Sequence, residues 1–531
     1  MFEMIKSMVK PFLRPRWERF EESLRDPSRA QENLLKELIG NLSVTDYGRS
    51  LKIESSADPD AFSDRVPLIV YDDIREWVER QKREEGRVLV AEPVIFYEKT
   101  SGSSGPAKYI PYTGGLKDSF SSMFAIWLYD LLERGPRLET GRTFISVSPA
   151  FDQEQATERG KRVGLDDDSD YLNPWMKSIL ERFLVLPPSI KELRDPANFK
   201  HVLALLLLAD SRLEVISVWN PSLLHMVLDY IRDESDALRD DLQRGAVTCE
   251  DRRFEFDPIA SERSDLLRES AAPWTEVWPN LKLISCWASM HAAPSARRII
   301  EAFPGVMVQG KGLLATEAPL TLPLIEAGGF VPLPSEVFYE FLDEDGNRLL
   351  LSELETARDY EIVLTQKGGL YRYRLGDRVR VTHYYHSTPC LEFAGRADDV
   401  CDMVGEKLNA VFVRECLERL SIRQGSFQSL LPVMPQQGAC HYLLVIDEKP
   451  DSIDSIVEEL DRTLCEAYHY NNARLLGQLG PTRTCVSMKA RELYYEYFMS
   501  KGMKLGDIKH QYLVKDLTDA ANLIEAFNHS H

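Results

Sequence analysis

The sequence predicts an α/β protein that carries a β-rich subdomain and ends in a small α+β domain. Short apolar runs alternate with amphipathic helical segments before about residue 330, which is typical of a mainly parallel sheet with helices on both faces. Consecutive strand-like segments follow at about 330–395, and residues 396–531 mix strands with helices. We therefore place a large domain at 1–395 and a smaller one at 396–531.

The α/β part is defined by its buried strands and by the helices between them. Strands are predicted at Val94–Tyr97, Leu213–Trp219, Leu281–Trp287 and Val306–Gln309. Asn220 and Pro221 form a good N-cap and first-turn pair for the next helix. The run Val202–Ala209 is far shorter than the roughly 20 residues of a membrane-spanning helix, so we interpret it as a buried helix.

The β-rich part begins with VFYEFLDEDGNRLLL, a predicted hairpin that turns at Asp345–Gly346. The segments EIVLT, LYRYR and RVRVTHYY are predicted as further short strands, with Gly368–Gly369 between the first two. In the last domain, HYLLVI and TCVSM are predicted strands, and the apolar residues from Ile453 to Leu464 recur at helical spacing.

Composition limits the possible functions. The net charge of −20 argues against a nucleic-acid surface, which needs clustered Lys and Arg. The eight cysteines show no CxxC pair or zinc spacing, and they are typical of reduced thiols. The chain has no signal-peptide-like or membrane-spanning apolar stretch, so we expect a cytoplasmic protein without a membrane partner.

A Gly/Ser segment, TSGSSGPAK at Thr100–Lys108, directly follows a predicted strand. Gly102 and Gly105 let several backbone N–H groups point at one anion. The hydroxyl groups of Ser101, Ser103 and Ser104 add donors, and Lys108 adds a positive charge. A flexible linker is the alternative interpretation, and the preceding strand weakens it.

Four further segments contain candidate site residues. Gln309–Pro319 ends in Thr316–Glu317, a hydroxyl beside a carboxylate that suits a nucleotide with Mg²⁺, although such a pair also starts helices. In Tyr371–Asp377, Asp377 follows a tight Gly turn and can accept hydrogen bonds from both ribose hydroxyls. The alternative interpretation is an ordinary turn residue. Gly395–Lys407 lies at the predicted domain boundary, and Lys504–Val514 carries Lys509 in a turn.

Together these segments resemble the adenylate-forming superfamily and, within it, the Gretchen Hagen family of acyl acid-amido synthetases, the auxin-responsive promoter proteins. TSGSSGPAK is similar to the phosphate loop of that family, GKGLLATEAP to its second motif and YRYRLGD to its third. VSPAF, GLDDDSDYL, SVWNPS and LISCWAS also resemble bacterial members. The resemblance covers about Thr45 to Val514. It implies a barrel-like β-rich subdomain and a mobile C-terminal lid domain.

The resemblance also implies an activity, its substrates and its site residues. The enzyme would adenylate a small carboxylic acid with ATP and Mg²⁺, releasing pyrophosphate, and pass the acyl group to an amine, an amino acid. The implied residues are Ser101, Gly102, Ser103, Ser104, Gly105 and Lys108 for the phosphates, Thr316 for the α-phosphate, Glu317 for Mg²⁺, Asp377 and Arg396 for the ribose, Lys407 and Lys509 as nucleotide-contacting lysines, and Asp398 as the hinge. Thr316, Glu317 and Lys509 would be the catalytic ones.

Two departures and two alternatives accompany this prediction. Leu313 stands where the family has an aromatic residue that stacks on adenine, and Gln511–Tyr512 replace the usual Pro-Arg after Lys509. One alternative is a ligase that forms a thioester with coenzyme A or a carrier protein. The other is a catalytically lapsed protein that binds a carboxylate, which the retained Glu317, Asp377 and Lys509 argue against. We expect a monomer.

Overall fold

Two structural units make up the part of the chain that the structure describes. The structure is a computed structural model, and it describes residues 2–55, 59–84, 86–100, 108–146, 155–156, 162–163, 171, 174–268, 273–396, 400–423, 426–450, 452–501 and 510–528. The described residues up to 396 form the first unit, and those from 400 onwards form the second.

Thirteen α-helices are described in the first unit and five in the second. In the first unit they are α1 (Phe2–Arg25), α2 (Pro27–Ser43), α3 (Asp46–Ser50), α4 (Pro59–Arg65), α5 (Tyr71–Arg83), α6 (Gly114–Arg134), α7 (Pro174–Glu181), α8 (Pro196–Ala209), α9 (Pro221–Asp233), α10 (Ser235–Arg244), α11 (Ser261–Asp265), α12 (Trp274–Val277) and α13 (Ala293–Ala302). In the second they are α14 (Ala410–Glu418), α15 (Ile453–Leu464), α16 (Tyr468–Leu475), α17 (Ala490–Ser500) and α18 (Leu517–Asn528). Within the described ranges, none of these helices has the length and apolar character needed to cross a bilayer.

The strands are mostly short. In the first unit they are β1 (Phe96–Thr100), β2 (Lys108–Tyr112), β3 (Arg142–Ile145), β4 (Gln155–Ala156), β5 (Arg162–Val163), β6 (Leu213–Ser217), β7 (Ala246–Cys249), β8 (Arg252–Glu255), β9 (Leu283–Cys286), β10 (Met307–Gly310), β11 (Leu314–Ala315), β12 (Ala318–Pro319), β13 (Thr321–Leu324), β14 (Gly329–Pro332), β15 (Phe338–Leu342), β16 (Arg348–Leu350), β17 (Asp359–Thr365), β18 (Tyr373–Tyr385) and β19 (Thr388–Arg396). In the second they are β20 (Val400–Cys401), β21 (Leu408–Asn409), β22 (Gln428–Val433), β23 (His441–Ile446) and β24 (Arg483–Val486).

The first unit contains a four-stranded parallel sheet in the order β10-β9-β6-β3. Every residue of β6 and β9 is buried, as expected for parallel strands covered on both faces. The Asn220 side chain accepts a hydrogen bond from the Ser222 N–H at 2.9 Å and so caps α9. The predicted α/β fold class is confirmed.

The β-rich subdomain is an antiparallel sheet in the order β16-β15-β17-β18-β19. The prediction of separate LYRYR and RVRVTHYY strands is wrong, because the last two residues of LYRYR and all of RVRVTHYY belong to one long strand, β18, and the first three residues of LYRYR precede it. Val363 pairs with Arg374 and Glu361 pairs with Arg378, so three residues of β18 lie opposite one residue of β17. Gly376, with a φ of 82°, provides the left-handed conformation that this bulge needs.

A buried arginine connects this subdomain to the end of α4 and to the residue that follows the helix. The Arg372 guanidinium donates to both carboxylate oxygens of Glu340, at 3.1 and 3.0 Å. It also donates to the carbonyl oxygens of Ser63 and Val66, at 2.6 and 2.7 Å. Because a buried charge is costly unless it is paired, these contacts fix the subdomain against its neighbours.

The second unit is a three-stranded sheet in the order β22-β23-β24, covered on both faces. Successive side chains of a strand point to opposite faces, and the two hydrophobic clusters follow this period. Leu430 and Leu444 pack in the cluster that includes residues of α14, α15 and α16. Leu431 and Val445 pack in the cluster that includes residues of α17 and α18.

Candidate functional site

The strands that flank the Gly/Ser segment are paired with each other. Strands β1 and β2 are antiparallel, and Thr100 and Lys108 are partners at the end of the pair. The two ends of the segment are therefore adjacent, with the Lys108 ammonium 5.9 Å from the centre of the Tyr71 ring. Five candidate residues of this segment lie outside the described residues: Ser101, Gly102, Ser103, Ser104 and Gly105.

Thr316 and Glu317 form the two-residue turn of a hairpin. Ala315 of β11 pairs with Ala318 of β12, which leaves these two residues at the tip. They thus lie beyond the parallel strand β10, which ends at Gly310, and they do not start a helix. The Glu317 side chain is buried, with 8% of its surface exposed.

Tyr112 joins this turn to the strand that leaves the Gly/Ser segment. Its hydroxyl donates to the Thr316 carbonyl oxygen at 2.6 Å, and Tyr112 is the last residue of β2. Burial holds the pKa of Tyr112 well above its ordinary value, and the Glu98 and Glu317 carboxyl groups act in the same direction. The phenol therefore stays protonated and keeps its role as a donor. Sequence reasoning missed Tyr112, because only its long-range partner shows its role.

Asp377 and Arg396 are neighbours on adjacent strands. They are partners between β18 and β19, although they are nineteen positions apart in the chain. Asp377 is buried, with 5% of its surface exposed. The sequence predicts that it follows a tight turn, whereas in the structure it lies at the β18 bulge. Bulges commonly redirect a side chain next to a functional site. The side chain of Arg396 lies outside the described part of the chain.

Lys407 belongs to the second unit and lies on a turn built by a buried carboxylate. Glu406 accepts hydrogen bonds from the Met403 and Val404 N–H groups, at 2.9 and 2.7 Å, and from the Tyr442 hydroxyl at 2.5 Å. The exposed Lys407 follows with a φ of 47°, in the left-handed region. Asp398 and Lys509 lie outside the described residues.

The residues at both departures from the motif pattern make local contacts in the structure. Leu313 packs in the main hydrophobic core with 8% of its surface exposed, and its N–H donates to the Thr321 hydroxyl at 2.7 Å. The Gln511 carbonyl oxygen accepts from the Ser429 hydroxyl at 2.8 Å, and the Tyr512 carbonyl oxygen accepts from the Leu430 N–H at 2.8 Å. Gln511 and Tyr512 therefore pair with β22.

The donor set fits a metal ion that is bound together with a nucleotide. Among the described residues, no group of three or more His, Cys, Asp or Glu side chains is arranged to hold a metal ion. Mg²⁺ in nucleotide sites is held by one or two carboxylates and by the phosphates of the substrate. A buried carboxylate at a tight turn, Glu317, is compatible with that arrangement.

Three family models match successive parts of the chain. They describe the N-terminal domain of the GH3 family at 16–308, its central domain at 330–396 and its C-terminal domain at 406–518. The first match alone covers more than half of the 531 residues. The chain belongs to the GH3 family. The resemblance inferred from the motifs is thus confirmed.

Named members of the GH3 family are distant in sequence but similar over most of their length. The jasmonoyl–L-amino acid synthetase JAR6 of Nicotiana attenuata is 23% identical, with 87% of each chain covered. The indole-3-acetic acid-amido synthetase GH3.3 of Arabidopsis thaliana is 20% identical, over 76% of this chain and 73% of that protein.

Solved structures show the same fold. The AtGH3.15 acyl acid amido synthetase in complex with 2,4-DB has a TM-score of 0.65 at 18% identity, with 98% of this chain and 96% of that chain covered. A 2-hydroxyisobutyryl-CoA ligase has a TM-score of 0.52 at 15% identity, with 97% and 93% covered. This GH3 protein therefore has the fold of the adenylate-forming ligases.

The Glu406 carboxyl makes the stability of the Lys407 turn depend on pH. Burial first, and then the nearby Asp402, raise the pKa of Glu406 from 4.5 to about 7. Between these values the folded state binds more protons than the unfolded state, so stability falls as the pH rises towards 7. We expect the free energy of opening at 401–409, measured by hydrogen exchange and corrected for intrinsic rates, to decrease over this interval.

The Glu406→Gln variant should lose most of this pH dependence, because an amide does not titrate. Glu466→Gln is the matched control, since Glu466 is an exposed residue of the same unit whose carboxylate pairs with Arg419 at 2.9 Å. An unchanged slope in Glu406→Gln, with the wild-type slope also present in the control, would contradict the assignment of this titration to Glu406.

Proposed function

We propose that this chain is an ATP-dependent acyl acid-amido synthetase. It adenylates a small carboxylic acid and transfers the acyl group to an amine, with an amino acid as the acceptor. It is a ligase that forms a carbon–nitrogen bond through an acyl-adenylate and releases AMP and pyrophosphate. The observation that carries this proposal is the Tyr112 hydrogen bond, which joins the strand leaving the Gly/Ser segment to the Thr316–Glu317 turn.

The nucleotide site proposed for the first unit combines three features. Lys108 at the end of the Gly/Ser segment neutralises the departing pyrophosphate, and the serines of that segment donate to the β- and γ-phosphates. Thr316 contacts the α-phosphate. Asp377, supported by Arg396, accepts the ribose hydroxyls, whose two donors match its two oxygens. The pairing of β18 with β19 supports this last assignment.

Glu317 and the two lysines after the domain boundary complete the proposal. Glu317 would hold Mg²⁺, and the ion would neutralise phosphate charge as it develops. Lys407 contacts the nucleotide, and Lys509 neutralises the α-phosphate when the small domain closes. Asp398 is the proposed hinge between domains 1–395 and 396–531. Opening about that hinge would clear a path for the amine, which is a common kind of gate.

The names of similar proteins support the identity of the substrates. The jasmonoyl–L-amino acid synthetase and the indole-3-acetic acid-amido synthetase are both named for the union of a carboxylic acid with an amino group. We extend this substrate class, an acyl acid and an amino acid, to the present chain. We also propose that it works in the cytoplasm as a monomer.

A pyrophosphate-exchange assay with a panel of carboxylic acids tests the adenylation half. Exchange of labelled pyrophosphate into ATP that depends on the acid is expected for an enzyme, whereas binding of an acid without exchange would indicate a lapsed binding protein. Addition of amino acids, and separately of coenzyme A, then distinguishes amide from thioester formation. Formation of the thioester alone would overturn the proposed acceptor.

A further inference from the structure

Three neighbouring parallel strands end at the same side of the four-stranded parallel sheet of the first unit. Strand β6 ends at Ser217, β9 at Cys286 and β10 at Gly310. The next residue, Lys311, donates its backbone N–H to the Cys286 carbonyl oxygen at 2.9 Å. In open α/β sheets, ligands bind in the crevice outside the carboxyl ends of the strands. Lys311 therefore lies where the fold places a ligand.

The side chain of Lys311 makes contacts at this side of the sheet. Its ammonium donates to the Ser217 hydroxyl at 2.8 Å and lies 4.8 Å from the centre of the Trp219 ring. Trp219 has 37% of its surface exposed, so the ring is accessible although it contacts the ammonium. Burial raises the pKa of the Cys286 thiol to about 11, so this neighbour stays neutral and does not compete as an anion.

A second tryptophan, Trp287, follows β9 at the same end of the sheet. The backbone N–H of Trp287 donates a hydrogen bond to the Trp219 carbonyl oxygen at 2.8 Å. The Trp287 ring meets the Phe393 ring edge-on, with the ring centres 5.5 Å apart. Phe393 pairs with Val379, which is two residues beyond Asp377. Trp287, which follows β9 at the same end of the sheet as Lys311, therefore lies next to the strand pair that carries Asp377.

This combination of groups favours a particular kind of acid. Indole faces contact planar or apolar groups, and a partly buried ammonium gains most from an oxygen acceptor. An ion pair with the reacting carboxylate would stabilise the ground state and would have to break as the acyl-phosphate bond forms. A hydrogen bond from the ammonium to a group whose polarity does not change during the reaction would be kept in both the ground state and the transition state.

We propose that Lys311 determines acid specificity by donating to an oxygen acceptor on the body of the acid substrate, separate from the reacting carboxylate. Trp219 and Trp287 contact the apolar part of the same molecule. This inference rests on the proposed synthetase activity and deepens it, because it names the substrate class as acids that carry a hydroxyl, a carbonyl or a second carboxylate group.

Pairs of acids that differ only in the acceptor test the inference, for example hydroxybenzoates against benzoate and hydroxylated against plain aliphatic acids. Wild type should favour the member with the acceptor. In Lys311→Met, which keeps the length and apolar contact of the side chain, the ratio of kcat/KM within a pair should fall about 10- to 100-fold, the loss of a charged hydrogen bond. Lys367→Met is the matched control, because Lys367 is another half-buried lysine, whose ammonium pairs with Glu336 at 3.5 Å.

The outcome that overturns the inference is an unchanged ratio in Lys311→Met, or an equal loss with both members of every pair. A ratio that falls equally in Lys367→Met would also overturn it. Calorimetric binding of the same acid pairs separates this inference from the proposed activity. If wild type binds the acids selectively and Lys311→Met abolishes that selectivity, but wild type shows no pyrophosphate exchange, the proposed adenylation is wrong and the role of Lys311 in acid binding stands. If wild type shows exchange without selectivity between the paired acids, the adenylation stands and the role of Lys311 is wrong.

Discussion

Replacement of Asp377 by alanine, or of Glu317 by glutamine, is expected to eliminate ATP–pyrophosphate exchange while the protein stays folded. Loss of one preorganised electrostatic contact typically lowers the rate by about a hundred- to a thousandfold. Asp377→Ala removes the acceptor for both ribose hydroxyls. Glu317→Gln keeps the shape of the side chain but removes the charge that the proposed Mg²⁺ requires. The measurement is acid-dependent exchange of labelled pyrophosphate.

A matched control separates these effects from general disturbance of the site. Glu361 lies on the strand next to Asp377, and its carboxylate pairs with the Arg374 guanidinium through two hydrogen bonds of 2.8 Å. Glu361→Gln should retain exchange, since it removes a charge on the same sheet without touching the nucleotide. Thermal unfolding reports whether each variant is folded. Exchange at the wild-type rate in both Asp377→Ala and Glu317→Gln would refute the assignment of the site.

The buried strands of the α/β part were predictable because their signal is local. LEVIS and LISC are mostly apolar segments, and the structure confirms them as β6 and β9, within two residues of the predicted bounds. The start of α9 was also predictable, since the Asn220 cap acts on the N–H group two residues away. Elements whose residues interact with close neighbours in the chain can be inferred from one sequence.

The positions of the site residues depend on contacts between distant segments. Whether Gly376 makes a turn or a bulge is decided by the register of β18 against β17, and nothing within YRYRLGD shows that register. The pairing of Asp377 with Arg396 likewise appears only once β18 and β19 are aligned. Tyr112 and Lys311 carry no motif of their own, and only the strands around them reveal what they contact.

The last expected result concerns Lys509, which we predict to serve adenylation and not the later formation of the amide. Lys509 lies more than a hundred residues beyond the Gly395–Lys407 segment and at the far side of the proposed hinge. A lysine so placed can neutralise the α-phosphate only when the small domain closes over the nucleotide. Lys509→Ala should therefore lose about a few hundredfold in the rate of acyl-AMP formation from acid and ATP.

The two halves of the reaction can be measured separately, which makes the role of Lys509 testable. When acyl-AMP is supplied with the amine, Lys509→Ala should form amide at close to the wild-type rate, because the α-phosphate no longer gains negative charge on attack by the acid. Lys501→Ala is the control, since the Lys501 ammonium pairs with Asp519 at 2.6 Å in the second unit and has no proposed contact with the nucleotide. Normal acyl-AMP formation by Lys509→Ala, or equal loss of both halves in a folded variant, would show that the small domain does not deliver this charge by closing.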